Sequence, residues 1–332
     1  MKSNQQPIIS VCIPVYNTEP YLAECLQSVI SQNFEAFEII VVNDASPGKD
    51  QNGLSCKKIV KRAQKECKHF RKEKGLSPVN ITYIENQINL QTIETRRILV
   101  EAAQGIYITM LDSDDQLLSG ALTALYSAAA SSEIVHGKMT LKAADGQLSE
   151  KLEAMEEGIN KQNSCLYGNQ IIDAFLKQEH SGYLCGKLIS RELYLRAFSH
   201  IPFTKCVMAD DYLIYFFIAL EAKAYISINI PVYLYNIGLG ISSNRKINSL
   251  ARWEQICSAA NVFTAIFDEL ENLPPDTLSQ EQIDRIRIAC RHYLKNNLGQ
   301  LESAVAPELQ EAAKALLCDY WGSDFVEELE KN

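Results

Sequence analysis

The 332-residue sequence lacks the short motifs that accompany several common cofactors. It contains neither a G-x-G-x-x-G nor a G-x-x-x-x-G-K-[ST] segment, which argues against a Rossmann dinucleotide site and a P-loop. Its ten cysteines form no C-x-x-C pair, and its five histidines have no ligand spacing, so we expect no structural zinc. Positive charge is also scarce, with 32 Lys and Arg against 41 acids, which argues against a general nucleic-acid binder.

Long apolar runs are missing as well, and no segment approaches the length of a membrane span. The first residues do not have the charged-then-apolar pattern of a secretory signal. Cys12, Cys25, Cys257 and Cys290 fall within apolar patterns, as reduced core residues do. We therefore expect a cytoplasmic protein, with peripheral contact at the inner face of the cell membrane as a further hypothesis.

The sequence does contain an apolar run, residues 105–111, that ends in the acids Asp112, Asp114 and Asp115. Its alternating β-branched and aromatic residues predict a buried strand. Ligands of open α/β sheets bind beyond the carboxyl ends of the strands, and two carboxylates placed there suit Mn²⁺ or Mg²⁺. The alternative is that the acids cap a helix predicted for residues 117–130, and Asp115 fits that role best.

Strand and helix patterns alternate through the first 130 residues, which predicts a mainly parallel sheet. The lysine-rich helix of this half, residues 57–74, is expected to carry its charges on a solvated face. After residue 131 the pattern is less regular, and residues 250–332 look helical with a break at 272–275. The predicted strands of the first half are residues 8–13, 37–42, 81–84 and 107–111.

Five segments in order resemble family 2 glycosyltransferases of the bacterial cell-surface polysaccharide type. They are S-V-C-I-P-V-Y-N at 10–17, I-V-V-N-D-A-S at 40–46, G-I-Y-I at 105–108, L-D-S-D-D at 111–115 and A-D-D at 209–211. The resemblance covers about the first 240 residues. It implies the α/β GT-A nucleotide-sugar-binding fold, a Rossmann-like, mostly parallel sheet flanked by helices. Residues 1–130 would form its nucleotide-binding half, 131–240 its acceptor-binding half, and 241–332 a helical C-terminal extension.

The resemblance also implies which residues bind the donor and the metal ion. Pro14 and Tyr16 would line the nucleobase pocket, and Asp44 would accept a hydrogen bond from the base. Asp112 would face the ribose or the ion, and Asp114 would ligate the Mn²⁺ or Mg²⁺ ion that bridges the diphosphate. The full set of expected donor-binding residues is Pro14, Tyr16, Asp44, Arg96, Asp112 and Ser113.

Family membership further implies direct displacement with inversion at the anomeric carbon, which needs a general base for the acceptor hydroxyl. Asp211 matches the base of the family's Glu-Asp pair, and Asp210 stands in the place of the glutamate. The alternative for this pair is N-capping of the apolar helix that follows it. The upstream motifs favour Asp211 as the base.

The sequence departs from the family pattern at several positions. Gln91 occupies a place where glycine is common, so a different backbone path is expected for its loop. Arg96 is retained, but the glycine that usually follows it is not. Asn236 replaces an arginine or histidine that often helps to bind diphosphate; Lys187 could supply that contact or be a plain exposed lysine. His180 is expected on the acceptor side or at the surface rather than in catalysis.

Aromatic residues of the C-terminal region share one helical face, and core packing is their default interpretation. The alternative is an amphipathic helix that lies on an anionic membrane surface. The C-terminal helices could also pair in a homodimer. The residues concerned are Trp253, Phe263 and Phe267, with Arg245, Lys246 and Arg252 as the nearby basic residues.

Three functional hypotheses follow from the sequence. The first is an inverting, metal-dependent glycosyltransferase that moves a sugar from a nucleotide sugar, expected to be a UDP-sugar, to a glycan or lipid-linked acceptor. The second is a catalytically silent scaffold of the same fold that binds nucleotide sugar or glycan. The third is a dehydrogenase, suggested by Asp44 at a strand end, and it is the weakest because the first loop lacks phosphate-binding glycines.

Overall fold

The computed structural model describes residues 6–130, 132–143, 150–238 and 246–331. Its strands form one sheet in the order β3-β2-β1-β4-β8-β6-β9-β5, and β7 pairs with β9. The strands are β1 (Ile9–Val15), β2 (Phe37–Asn43), β3 (Asn80–Glu85), β4 (Tyr107–Met110), β5 (Gln116–Leu117), β6 (Ile134–Ala143), β7 (Cys165–Tyr167), β8 (Lys187–Ser190) and β9 (Ala224–Ile237).

Helices cover both faces of this sheet and make up most of the C-terminal region. In the first half they are α1 (Glu19–Ile30), α2 (Cys56–Glu73), α3 (Gln91–Ala102) and α4 (Ala121–Ala128). The middle of the chain contributes α5 (Glu150–Ile159), α6 (Asn169–Leu176), α7 (Arg191–Ser199) and α8 (Asp210–Glu221). The C-terminal helices are α9 (Leu250–Cys257), α10 (Ala259–Leu270), α11 (Gln280–Ser303), α12 (Gln310–Trp321) and α13 (Ser323–Glu330).

The first four strands run parallel, because a helix connects each of them to the next. The predicted alternation of strand and helix is therefore confirmed. The second half is mixed: β8 lies antiparallel between β4 and β6, whereas β6 and β9 are parallel. Parallel pairing places the ends of β1, β2 and β4 at one edge of the sheet, where the predicted site residues lie.

Gly105 precedes β4 at a close approach between strands. A Cβ atom at this position would lie 2.7 Å from the backbone nitrogen of Ser10. The Gly105 N–H also donates to the Ser10 hydroxyl at 2.9 Å, so β1 and β4 are joined where β4 begins. Only a residue without a side chain lets β4 pair with β1 at this distance.

Two buried clusters fill the space between the sheet and its helices. One contains apolar residues of α1, α2 and α4, and the other contains those of α3, α7, α8 and the C-terminal helices. Trp253 and Phe263 belong to the second cluster and are 0% and 2% exposed. Core packing, the default interpretation, is therefore confirmed for Trp253 and Phe263. Arg245 of the membrane-surface hypothesis lies outside the described residues.

Two sequence predictions need correction here. The helix predicted for residues 117–130 begins at Ala121, because Gln116–Leu117 pairs with β9 as a short strand. The charges of α2 are not all solvated, since Arg71 is completely buried. The mostly parallel sheet is as predicted, with β8 as an antiparallel strand between β4 and β6.

Two predictions about the whole chain can be compared with the described residues. None of their helices is both long enough and apolar enough to pass through a bilayer. The cysteines predicted to be core residues, Cys12, Cys25, Cys257 and Cys290, are all buried free thiols.

Candidate active site

Three carboxylates surround the guanidinium of Arg96 at the carboxyl edge of the sheet. Asp112 follows β4 and lies 3.3 Å from Arg96 Nη2, whereas Asp210 and Asp211 begin α8 and lie 3.5 Å from Nε and 3.0 Å from Nη1. The fold therefore brings together the acid predicted to hold the ion and the acid predicted to be the base. The sequence predicted an arginine close to the nucleotide, but not one that contacts both motifs.

This group of charges is largely withdrawn from water. The Arg96 side chain is 5% exposed, and those of Asp112, Asp210 and Asp211 are 32%, 15% and 25% exposed. Burial raises the pKa of the Asp211 carboxyl, and the positive charge of Arg96 opposes that rise. A carboxylate with a raised pKa holds a proton better, which is the property that a general base needs.

Helix capping does not account for Asp210 and Asp211. The N-cap residue of α8 is Ala209, and no side-chain hydrogen bond caps this helix. The two acids instead occupy the first helical turn, where the partial positive charge of the helix end favours carboxylates. Their side chains face Arg96.

Asp114 and Asp115 extend the negative charge beyond Asp112. Burial, followed by the charge of Asp112, raises the pKa of Asp114 to about 6. The same two causes, together with Asp114, raise the pKa of Asp115 to about 8. Asp114 and Asp115 thus add to the negative charge around Asp112, and a divalent cation would relieve the mutual repulsion of these three carboxyl groups.

Asp115 does not cap a helix, which corrects the prediction for this residue. Its carboxylate accepts hydrogen bonds at 2.7 Å from the Tyr233 hydroxyl and from the Asn236 backbone N–H. The Asn236 side chain also donates to the carbonyl oxygen of Asp114 at 2.7 Å. Asp115 and Asn236 therefore attach the acidic segment to β9, and Asn236 has a structural contact in place of the diphosphate contact of related sequences.

Two residues near Asp112 were missed in the sequence. The Asp112 backbone N–H donates to the Tyr233 hydroxyl at 3.2 Å, and the Cys185 thiol lies 3.5 Å from Asp112 Oδ2. Tyr233 lies in a Tyr-Leu-Tyr segment and Cys185 precedes Gly-Lys-Leu, and no role was predicted for either residue. They contact Asp112 at its backbone N–H and at Oδ2, whereas Arg96 lies beside Oδ1.

A metal ion would have to be held by few protein ligands. Within the described ranges, no group of three or more His, Cys, Asp or Glu residues is arranged so that it could hold a metal ion. Asp112 and Asp114 offer hard oxygen donors, and Mg²⁺ or Mn²⁺ is commonly held by one or two carboxylates with substrate phosphates and water. The donor types and the excess of negative charge fit such an ion.

The predicted nucleotide-binding residues lie on loops that contact one another. Pro14 is in β1 and Tyr16 follows it, and both are half-buried. The Asp44 N–H donates to the Val15 carbonyl at 3.0 Å, which places the loop after β2 beside them. Ser113 is buried and its hydroxyl lies 2.6 Å from that of Thr18. Ser113 therefore joins the acidic segment to the first loop.

The Asp44 carboxylate accepts three hydrogen bonds from the protein. Its Oδ1 accepts from the Asn86 side chain and the Leu90 N–H, both at 2.8 Å, and its Oδ2 accepts from the Gln91 N–H at 2.9 Å. These bonds hold the loop that precedes α3. Its predicted contact with a nucleobase stays a prediction, and Oδ2, which accepts one hydrogen bond here, could accept a second.

Gln91 adopts the left-handed conformation that glycine normally provides. Its φ is 69°, so the loop keeps the expected backbone path although the glycine is absent. The prediction of a different path is therefore wrong. The Asp44 carboxylate accepts a hydrogen bond from the Gln91 N–H, which stabilises this unfavourable conformation.

Substitution of Gln91 by glycine is expected to stabilise the protein by about 1 kcal/mol. The left-handed conformation costs a non-glycine residue about 1–2 kcal/mol, and the greater freedom of glycine in the unfolded chain offsets part of that gain. The free energy of unfolding from urea titrations would measure the effect. Gln27→Gly, in the exposed face of α1, is the control and should destabilise by about 1 kcal/mol. Destabilisation by Gln91→Gly would contradict the strain assigned to this residue.

Other loops at the same edge share this backbone strain. Asn17, Ala45 and Ala209 have φ angles of 58°, 54° and 65°. Asn17 follows β1, Ala45 follows Asp44, and Ala209 precedes Asp210. Left-handed non-glycine residues cost free energy and concentrate where function requires a particular geometry. These three residues therefore lie at the same edge of the sheet as the acidic residues of the candidate active site.

Lys187 and His180 are both interior residues, so the exposed position considered for each of them is wrong. Lys187 is 0% exposed; its ammonium donates to the Tyr183 carbonyl and lies 4.9 Å from the centre of the Tyr215 ring. Burial lowers its pKa to about 7. His180 is buried, and its Nε2 lies 3.0 Å from the Tyr215 hydroxyl. In this arrangement neither side chain is open to a diphosphate or at the protein surface.

Comparison with known proteins decides the family. The family model described as Glycosyl transferase family 2 matches residues 10–194, more than half of the chain. The chain belongs to glycosyl transferase family 2. The matched range includes β1, the acids after β4 and Lys187, and it ends before Asp210 and Asp211. The resemblance predicted from the five segments is confirmed.

Curated relatives in this family match only part of their own length. Glycosyltransferase GlyA of Streptococcus pneumoniae is 36% identical over 118 residues, which are 36% of this chain and 14% of GlyA. Minor teichoic acid biosynthesis protein GgaB of Bacillus subtilis is 37% identical over 113 residues, 33% of this chain and 11% of GgaB. The chain thus spans a small fraction of these longer family 2 proteins.

Solved structures support the fold over nearly the whole chain. S. aureus TarS 1-349, in complex with UDP-GlcNAc, has a TM-score of 0.52 at 17% identity and covers 97% of this chain and 91% of its own. The mannosyltransferase PcManGT of Pyrobaculum calidifontis, in complex with GDP-Man and Mn²⁺, has a TM-score of 0.51 at 16% identity, covering 98% and 87%. The predicted GT-A fold of this family 2 chain is confirmed.

Proposed function

We propose that this family 2 protein is an inverting, metal-dependent glycosyltransferase that uses a UDP-sugar. The acceptor would be a hydroxyl of a glycan or lipid-linked saccharide in bacterial surface polysaccharide synthesis. One observation carries the proposal: Arg96 lies within 3.3 Å of Asp112 and 3.0 Å of Asp211, so candidate ion ligand and candidate base share one partner. A nucleotide sugar and an acceptor hydroxyl must meet at such a point.

The donor assignment rests on the loops after β1 and β2 and on the solved neighbours. Pro14 and Tyr16 would border the nucleobase, and Asp44 and Ser113 lie in the loops on either side of them. TarS was solved with UDP-GlcNAc, which favours a uridine nucleotide, whereas PcManGT was solved with GDP-Man. The teichoic acid role named for GgaB favours a surface polymer as the product.

Asp112 and Asp114 would hold Mn²⁺ or Mg²⁺. The ion supplies positive charge that stabilises the departing nucleoside diphosphate. Cys185 and Tyr233 keep Asp112 in place at its side chain and its backbone N–H. Asp115 fixes the acidic segment to β9, so that Asp112 and Asp114 keep their positions.

Asp211 would accept the proton of the acceptor hydroxyl. Its raised pKa makes its carboxylate a stronger base, and Arg96 holds that carboxylate at the start of α8. Attack by the acceptor oxygen from the side opposite the nucleotide would invert the anomeric carbon. Arg96 thereby becomes a positioning residue, since its contacts are with the acids.

The first experiment measures release of nucleoside diphosphate from a panel of nucleotide sugars with Mn²⁺ or Mg²⁺, and again with EDTA. We expect one UDP-sugar to be hydrolysed with metal and release to fall to background with EDTA. Asp114→Asn should lower release about 10²-fold, because a metal ligand is lost. Asp324→Asn, an exposed change in α13 with the same loss of charge, should not.

Other results would contradict parts of the proposal. Equal release with EDTA would exclude the metal requirement, and hydrolysis of a GDP-sugar alone would exclude the uridine assignment. If no donor is hydrolysed, thermal shift with the same panel is the next measurement. Stabilisation without turnover would favour the silent scaffold, unless an acceptor restores turnover. Absence of binding by every donor would refute the glycosyltransferase proposal.

A further inference from the structure

Five lysines form a straight row on the outer face of α2. Their spacing alternates between three and four residues, which aligns side chains along one side of a helix. Apolar residues of the same helix, including Ile59, Ala63 and Cys67, are buried against the core on the opposite side. All five lysines are exposed. This lysine stripe consists of Lys58, Lys61, Lys65, Lys68 and Lys72.

The stripe lies in a segment where positive charge is concentrated. Residues 57–74 carry nine lysines and arginines and two glutamates, whereas the whole chain has a net charge of −9. Lys57 and Arg62 of this helix pair with Glu85 and Glu66, but no stripe lysine has an ion pair within the described residues. Like charges at this spacing repel one another. Ion pairing within the described part of the chain therefore does not account for the row.

We propose that the lysine stripe docks the protein on an anionic phospholipid bilayer. The five charges span about 21 Å along the helix, and a straight row can touch a flat surface with all its members. Clusters of four to eight basic residues on a helix suit anionic lipid surfaces. The long lysine stems also let each ammonium reach the headgroup layer.

Nucleic acid fits this surface less well. Every member of the stripe is lysine, a point charge without the bidentate geometry by which arginine recognises phosphate. No aromatic side chain interrupts the row, and single-stranded nucleic acid is bound by aromatic stacking as well as charge. Acids elsewhere on the chain are screened beyond about 8 Å, so they do not prevent contact of the stripe with a plane.

The stripe starts near the candidate active site. Lys57, which precedes the first lysine of the stripe, has its Nζ 3.5 Å from Oε2 of Glu85. Glu85 lies at the end of β3 and pairs with Asn43 at the end of β2. The next residue in the chain is Asp44, a predicted donor-binding residue. If the proposed function is correct, docking through α2 would bring the active-site edge close to a lipid-linked acceptor. The docking proposal itself requires no catalytic activity.

Flotation with vesicles tests the proposal on the full chain. One set contains equal parts phosphatidylglycerol and phosphatidylcholine, and the other phosphatidylcholine alone. We expect binding only to the anionic vesicles, and release as salt is raised. The triple substitution Lys61→Gln, Lys65→Gln and Lys68→Gln should lower the partition coefficient about 100-fold, at about fivefold per lysine. Its melting temperature should match that of the unsubstituted protein.

A matched control removes three exposed lysines that lie away from the stripe. Lys161→Gln, Lys223→Gln and Lys295→Gln change the net charge equally and should alter partition by about twofold at most. Equal losses in both triple variants would overturn the proposal, as would failure of the unsubstituted protein to bind anionic vesicles at low salt. Tighter binding to single-stranded DNA or to poly(glycerol phosphate) than to vesicles would overturn it in favour of a polymer partner.

Discussion

Asp211→Asn is expected to lower turnover of the identified donor with acceptor by about 10²–10⁴-fold. Asparagine has nearly the same shape, but it cannot accept the acceptor proton. Arg96 would still have Asp112 and Asp210 within 3.3 Å and 3.5 Å, so its charge would remain compensated. Donor binding, measured by calorimetry with Mn²⁺, should stay within about threefold, because an interaction made only in the transition state is lost.

Asp210→Asn is the matched control for this change. It removes the same charge from the adjacent position, and Asp210 also contacts Arg96. We expect a smaller loss of turnover in Asp210→Asn than in Asp211→Asn, because the former keeps the proposed base. Equal losses of turnover in the two variants would mean that turnover depends on the total charge around Arg96. They would contradict a role of residue 211 as the base. Unchanged turnover in Asp211→Asn would refute its proposed role.

The second large effect is on stability. Arg71→Met is expected to lower the free energy of unfolding by about 3–5 kcal/mol, because it leaves buried carbonyl groups without donors. Arg71 is completely buried and donates to the carbonyls of Ile30, Gln32 and Phe34 at 3.1, 2.9 and 2.9 Å, and to that of Ser77 at 2.5 Å. These carbonyls belong to the connection between α1 and β2 and to the segment before β3. One side chain thus attaches α2 to both.

Urea titration of Arg71→Met would measure this loss. Arg62→Met, on the exposed face of the same helix, is the matched control. Arg62 pairs with Glu66 at 2.7 Å in solvent, and loss of such a pair should cost no more than about 0.5–1 kcal/mol. A loss below about 1 kcal/mol in Arg71→Met would show that solvent replaces its hydrogen bonds, which would contradict its described burial.

Arg71 also illustrates a limit of sequence reasoning. It lies among exposed lysines in a highly charged helix, and charge alone predicted a solvated side chain. The helical position of residue 71 coincides with the buried face that includes Cys56, Val60 and Cys67. Helical periodicity could therefore have identified Arg71 as the exception, but not the carbonyls that it binds, since they come from distant segments.

Gln91 shows the opposite error. The sequence predicted that loss of glycine would redirect the loop, yet the loop keeps a left-handed residue at φ 69°. Gln91 adopts the left-handed conformation against its backbone preference, because Asp44 accepts hydrogen bonds from the N–H groups of both Leu90 and Gln91. A local preference of about 1–2 kcal/mol is small beside two hydrogen bonds to a buried carboxylate.

The sequence by itself determined the family and the alternation of strands and helices. It also identified the acidic residues that follow β4 and those that begin α8. Short-range patterns suffice for these features, because they depend on hydrophobic periodicity and on motifs of a few residues. It also showed that Asp112 and Asp211 belong to different segments, 99 positions apart in the numbering. It contained no measure of their separation in space.

Only the tertiary structure decided that Arg96 lies between these acids, that Lys187 and His180 are interior, and that Tyr233 holds Asp112. Each depends on contacts between elements far apart in the chain, which local patterns do not encode. The reversed direction of β8 and the pairing of β5 with β9 also arise from the assembled sheet. Packing places these side chains, because buried charges and hydroxyls take partners from whichever element lies beside them.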